Sequence, residues 1–188
     1  MRTARGFTLI EFTVTFVVLA LLTVLTMPSI GAWIANARMR SVAESMQNGL
    51  RMAQVEAVRR NRQTVFALTN ATPGLTAAPQ ANGSKWFVRA LALPGETADA
   101  TFYVQGGDFP GQNVSVSGPA IVCFNSMGRL VANASTGLGS DCGTPADVTY
   151  DITRTSADRR LRVQVSLAGR VRMCDPDRSL ASGQPDGC

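Results

Sequence analysis

The chain has 188 residues, 45% of them apolar, which suffices for one domain with a sizeable core, or one such domain plus an appendage. Its formal charge is +5, carried almost wholly by arginine because Lys85 is the only lysine, and it contains no histidine. Without histidine a Ser-His-Asp triad is excluded, and the commonest general base and a common metal ligand are missing. Arginine forks suit bidentate contact with phosphate or carboxylate, and a basic balance also suits an anionic membrane surface.

From Phe7 to Ala37 the only charged residue is Glu11. About 20 apolar residues in a helix span a bilayer core, so this stretch is long enough. It differs from a secretory signal, whose apolar run is shorter and ends at a small-residue cleavage site; here Gly6 precedes the run. A carboxylate at the bilayer centre costs about 2.5–3.5 kcal/mol, less near an end, and calls for a partner. The stretch RGFTLIE resembles the class III signal of type IV pilins and related pseudopilins. That resemblance implies cleavage by a prepilin peptidase after Gly6, N-methylation of Phe7, and a role for Glu11 in meeting the N-terminal amine of a neighbouring subunit during filament assembly. A buried charge is tolerated when paired. The leader, residues 1–6, would keep Arg2 and Arg5 in the cytoplasm, and its loss takes the formal charge from +5 to +3. Pro28 falls where such pilins often carry a helix-bending proline.

After Gly31 the pattern turns amphipathic. Val42, Met46, Leu50, Ala53 and Ala57 recur at spacings of three and four, with Arg38, Arg40, Glu44, Arg51, Glu56 and Arg59 as the polar remainder. This predicts one helix over 7–62, spanning a membrane in its first half and laid on a head domain in its second, with Met39, Met46 and Met52 filling core gaps and an end near Arg60 to Arg62. The stretch GLRMAQVEAVRRNRQTVFAL resembles the GspH/FimT group of pseudopilins, in which such a helix runs into the first strand.

Residues 63–188 read as β. RQTVFAL places Val65, Phe66 and Ala67 near the core; KWFVRALAL offers Trp86, Val88 and Ala90 on one face; ATFYVQ and NVSVSG are short strands. AIVCFNSMGRLV reads as two strands joined by a tight turn, and DVTYDITRT and RRLRVQVSLAGRVRMC close the domain. TNATPGLTAAPQANGS is a loop by its turn residues. Short strands at this spacing indicate an antiparallel sandwich or paired sheets, so the fold class is α+β. The resemblance implies the same: a long helix packed on a β-sandwich-like periplasmic head.

The four cysteines have no zinc spacing. In an oxidising periplasm three pairings are open, and Cys123–Cys142 with Cys174–Cys188 is favoured because each closes a glycine-rich or polar loop. The second bridge would pin the tail DPDRSLASGQPDG, whose Asp175 and Asp177 read as solvated loop acids. No metal, cofactor or catalytic constellation is indicated, and the chain is not expected to be an enzyme.

The most informative stretch runs from Arg154 to Arg178, with seven arginines and three acids. Leu161, Val163, Val165 and Leu167 alternate with Arg160 and Arg162, and Val171 and Met173 alternate with Arg170 and Arg172, so strand parity gathers the four arginines whether or not Gly169 starts a hairpin. Three uses are open: a solvated face, contact with acidic subunits or lipid headgroups, or sequence-independent contact with DNA phosphates. GRVR resembles the glycine-arginine-x-arginine motif of FimT-type minor pilins, which bind DNA in natural transformation. The resemblance therefore implies a minor pilin held in the bacterial inner membrane by lipid before it joins other pilins in a filament. Its alternative is the H-type minor pseudopilin of a type II secretion system. Sparse aromatics and the lack of a recognition helix argue against base stacking and base readout.

Overall fold

The computed structural model describes residues 6–97, 99–110, 113–155 and 157–188, with backbone alone at 25–29 and at 100. The leader arginines Arg2 and Arg5 and any effect of Pro28 on its helix lie outside the described residues.

One helix, α1 (Leu9–Arg60), runs for 52 residues. Thr8 caps it: its Oγ1 accepts the Glu11 N–H at 3.3 Å, and Glu11 stands in the first turn, where a carboxylate complements the helix dipole. Asn61 stops it in the left-handed region at φ 50°, and the Arg62 N–H closes back on the Ala57 carbonyl at 3.2 Å. The two halves of α1 live in different surroundings. Leu9, Ile10, Phe12, Phe16 and Leu19 are all exposed, whereas Val42, Met46, Leu50, Ala53 and Ala57 are fully buried. The buried stripe also takes in Ala35, Met39 and Ala43, and Met52 is half-buried at its margin. Among the described residues no helix is long and apolar enough to cross a membrane; described side chains of the apolar half stop at Val24 and resume at Ile30.

Nine strands follow among the described residues: β1 (Thr64–Thr69), β2 (Lys85–Ala90), β3 (Tyr103–Asp108), β4 (Val114–Ser117), β5 (Ile121–Phe124), β6 (Leu130–Val131), β7 (Val148–Arg154), β8 (Leu161–Val165) and β9 (Val171–Cys174). They form two antiparallel sheets, ordered β3-β2-β1-β5-β6 and β4-β7-β8-β9. The buried stripe of α1 packs on both, in one core with Phe66, Trp86, Val88, Phe124, Tyr150, Ile152, Val163 and Val165. Phe66 sits between the sheets, stacked on Trp86 at 5.9 Å and edge-on to Tyr150 at 6.0 Å.

The first sheet is covered on its second face too, by loops that enclose Val65, Ala67, Phe87, Ile121 and Cys123 with Ala77 and Leu138. All of β1 is therefore buried, and β2 buries Phe87 as well as Trp86, Val88 and Ala90. A strand packed on both faces loses the alternation that marks a half-exposed one. Both disulfides form as favoured: Cys123–Cys142 ties β5 to the covering loop, and Cys174–Cys188 ties the end of β9 to the tail. Two details differ from expectation. Leu167 lies beyond β8 in a turn and is 46% exposed, and Asp175 is buried rather than a solvated acid. Asp175 accepts the Asp177 N–H at 2.9 Å, and its backbone bridges Gly187.

Candidate nucleic-acid interface and assembly segment

The chain does turn at Gly169, and the arginine hairpin runs over a three-residue loop, Leu167 to Gly169. The Ser166 N–H donates to the Arg170 carbonyl at 2.9 Å and the Gly169 N–H to the Ser166 carbonyl at 2.7 Å. Gly169 has φ 89°, the left-handed residue that such a loop needs before the second strand. It is also wedged. A Cβ on Gly169 would lie 2.0 Å from the Gly128 carbonyl oxygen and 2.5 Å from Gln54 Nε2. Gln54, on α1, donates to that same carbonyl at 2.8 Å, and the Leu130 N–H donates to the Leu167 carbonyl at 3.1 Å. The glycine of GRVR thus lets the β8–β9 turn lie against the β5–β6 turn under a side chain from the helix. Gln54 and Gly128 carried no signal in the sequence because 74 residues separate them.

In β8 and β9 the side chains buried in the core shared with α1 are Val163, Val165 and Val171, so Arg162, Gln164 and Arg172 point away from α1. Register places Gln164 opposite Arg172 and Asp151 opposite Arg162. Arg160 and Arg170 flank this row in the same parity. Strand alternation therefore puts the four arginines on the outer side of one hairpin, in two pairs at its opposite ends.

Their partners were not legible. Arg162 makes a bidentate contact with Asp151, at 2.6 and 3.0 Å. Arg160 grips Asp177 of the tail with both Nε and an Nη. Arg172 donates to the Gly187 and Cys188 carbonyls at 2.9 and 3.3 Å. Arg178 and Arg159 share Asp186, at 2.6 and 3.8 Å. Arg160 beside Asp177 holds that carboxyl below the usual carboxylate range, and Arg178 does the same to Asp186. The disulfide-closed tail thus lies along the arginines and supplies counter-charge to Arg159 and Arg160, while Asp151 of β7 supplies that of Arg162. Arg170 alone of the four has no hydrogen bond or ion pair on its guanidinium among the described residues; it lines a polar cleft with Arg172, Gln164, Ser166 and Asp147.

At the other end of the chain, Gly6 and Phe7 are exposed and non-helical just before Thr8, and Glu11 is exposed on the first turn of α1. Among the described residues no group of His, Cys, Asp and Glu is disposed to hold a metal ion.

The profile of the family described as Type II transport protein GspH matches residues 42–169, about two thirds of the chain. A search of curated proteins finds no significant match. The fold is similar to crystal structures of the type IV minor pilin FimU of Pseudomonas aeruginosa. One, in space group P21, gives a TM-score of 0.54 at 17% identity over 76% of this chain and 92% of that one; the other, in P65, gives 0.51 at 18% identity over 74% and 94%. The minor pseudopilin EpsH of Vibrio cholerae follows at a TM-score of 0.46 and 12% identity, over 72% of this chain and 95% of that one. The chain belongs to the type II transport protein GspH family, whose members are structural rather than enzymatic components.

Proposed function

We propose that this protein is a minor pilin that assembles into a pilus filament and captures DNA through the outer side of its arginine hairpin. The observation that carries the filament part is the division of α1: an exposed apolar first half continuous with a second half buried in the head. Such a half-helix needs lipid before assembly and other subunits' helices afterwards, which supports an inner-membrane anchor with a periplasmic head; the resemblance of RGFTLIE supports a peptidase cut after Gly6, N-methylation of Phe7 and pairing of Glu11 with a neighbour's amine. The four arginines on one side of the hairpin support phosphate contact, and their partners refine it. Arg170 is ready for a phosphate, Arg172 stands beside it in the same cleft, and Arg160 and Arg162 must first exchange carboxylates for phosphates.

The same carboxylates favour a second reading, the H-type minor pseudopilin of a type II secretion system, in which the arginine–aspartate pairs are structural. Binding of labelled duplex DNA to the full chain in nonionic detergent, titrated with salt, separates the two. Contacts from Arg170 and Arg172 alone give a slope of about −1.8 in log affinity against log salt, at about −0.9 per phosphate, and displacement of all the carboxylates gives about −3.6. Changing Arg170 and Arg172 to Ala should flatten the slope by about 1.8, equally for unrelated sequences. Absence of binding by folded wild type at low salt overturns the DNA reading and leaves the secretion reading. Entry of a Glu11→Ala variant into filaments at wild-type level overturns the role given to that carboxylate.

A further inference from the structure

The head begins where α1 first becomes buried, and that level carries arginine. Ala35 and Met39 are the first fully buried side chains of the helix, while Trp33, just before them, is 72% exposed. The loop before β8 reaches the same level. Asn36 Nδ2 donates to Asp158 Oδ2 at 3.4 Å, and the Asp158 N–H donates to Asn36 Oδ1 at 3.3 Å. This double contact brings Arg159 beside Arg40, and the two flank a cleft whose floor is Asn36, Met39, Asp158 and Leu161. At 3.6 residues per turn, positions 33, 36 and 40 share one flank of the helix, so Trp33 lies on the N-terminal side of the cleft.

The cleft floor itself carries one carboxylate, Asp158, held by Asn36, and the counter-charges of the two arginines are loose. Arg40 meets Glu44 at 3.0 Å in a pair exposed on both sides, and Arg159 is 3.8 Å from an Asp186 that Arg178 holds more closely. Arg38, exposed on another side of the helix, has no partner among the described residues. Exposed pairs of this kind exchange readily.

We propose that the cleft between Arg40 and Arg159 binds the phosphate of an anionic phospholipid, seating the base of the head on the membrane before assembly. The inference rests on the anchoring reading above. Glu11 belongs at a water–lipid boundary; about 20 residues beyond it, at 1.5 Å each, cross a core of about 30 Å and end near Gly31. Trp33 then falls in the interfacial belt that aromatic residues favour. Arg40 follows about 10 Å further on, and helical side chains lean towards the N-terminus, which here is towards the lipid. An arginine stem lies along apolar surface while its fork takes phosphate oxygens.

The test uses the full chain in bilayers of phosphatidylcholine containing a trace of spin-labelled phosphatidylglycerol or spin-labelled phosphatidylcholine. Electron paramagnetic resonance reads the relative association of the two lipids. Wild type should prefer phosphatidylglycerol by roughly fivefold per engaged arginine. Changing Arg40 and Arg159 to Gln should bring the preference close to unity, and Arg129→Gln, in the β5–β6 turn at the far end of the head, should leave it intact. Equal association of the two lipids with wild type, or a preference that survives the double change in a folded protein, overturns the proposal. A double variant that loses filament entry with no lipid preference to lose gives the cleft to a neighbouring subunit instead. Failure of the chain to enter either bilayer overturns the anchoring reading and the lipid site with it.

Discussion

Replacing Gly169 with Ala should do more harm than any left-handed glycine does on backbone grounds alone. The backbone term is about 1–2 kcal/mol for a Cβ at positive φ. The steric term is specific to this site, because the new Cβ would lie 2.0 Å from the Gly128 carbonyl oxygen. Relief requires the two turns to part, which breaks the Gln54–Gly128 and Leu130–Leu167 hydrogen bonds, at about 1 kcal/mol each. The expected loss is about 3–4 kcal/mol, or roughly 10 °C in Tm for a chain of this size. Gly137 supplies the control: its φ is 70° but nothing lies within 4 Å of its Cβ position, so Gly137→Ala should cost only the backbone term. Unfolding is followed by Trp86 fluorescence in a Trp33→Phe background; Trp86 is buried, stacked on Phe66 and hydrogen-bonded to Ser45, so it reports the core. If the two alanine variants unfold within 1 kcal/mol of each other, the wedge between the turns is not what the glycine of GRVR serves.

The tail's hold on the arginines should be pH-dependent. Arg160 holds the Asp177 carboxyl below its ordinary value of about 3.9, so the pairing contributes above that value and is lost as pH falls through the lower, folded one. At a pH below that lowered folded value, binding of a sulfated polymer, whose charge persists, should acquire a steeper salt slope, and Asp177→Asn should show that slope already at pH 7; equal slopes at both pH values would refute the exchange. Changing Cys174 and Cys188 to Ser removes a bridge of 14-residue separation, worth about 3 kcal/mol by loop entropy. The tail should then be cut by trypsin at Arg178 while the head stays folded, since the shared core contains no residue after Cys174; a resistant Arg178 in that variant would show that the arginine–aspartate pairs suffice. Among the described residues the fully buried Tyr150 hydroxyl has no hydrogen-bond partner, so Tyr150→Phe should stabilise by about 1 kcal/mol or more in denaturant unfolding, and a clear loss would mean that the hydroxyl is satisfied.

The helix was legible because its signals are local. The apolar stripe from Val42 to Ala57 repeats every turn, and the halt near Arg60 is marked by Asn61 and the strand-like run beyond it. Gly169 offered a bend before the last strand, but local sequence left open whether the chain turns there or runs straight through. What escaped is long-range or two-sided. Phe87 and the whole of β1 are buried on both faces, and alternation is silent there. Leu167 continues the alternation of β8 in sequence, but the three-residue turn has already left the sheet by that point.

The arginine face shows where local reasoning about function stops. Parity placed Arg160, Arg162, Arg170 and Arg172 on one side, because that follows from the two-residue period of a strand. Whether four arginines on one side make a basic surface depends on what stands opposite them, and that is set by contacts spanning 11 residues to Asp151 and 17 to Asp177. A count of seven arginines against three acids between Arg154 and Arg178 leaves out Asp151 and Asp186, which lie just outside the window and pair with three of the seven. The free charge is correspondingly concentrated at Arg170, held on the turn that Gly169 wedges against Gly128. A phosphate that reaches this turn meets one unpaired guanidinium first and can recruit Arg172 from the tail's carbonyls next. Affinity gained from Arg160 and Arg162 then depends on how easily the acidic partners give way, which makes those carboxylates, as much as the arginines, determinants of any DNA binding.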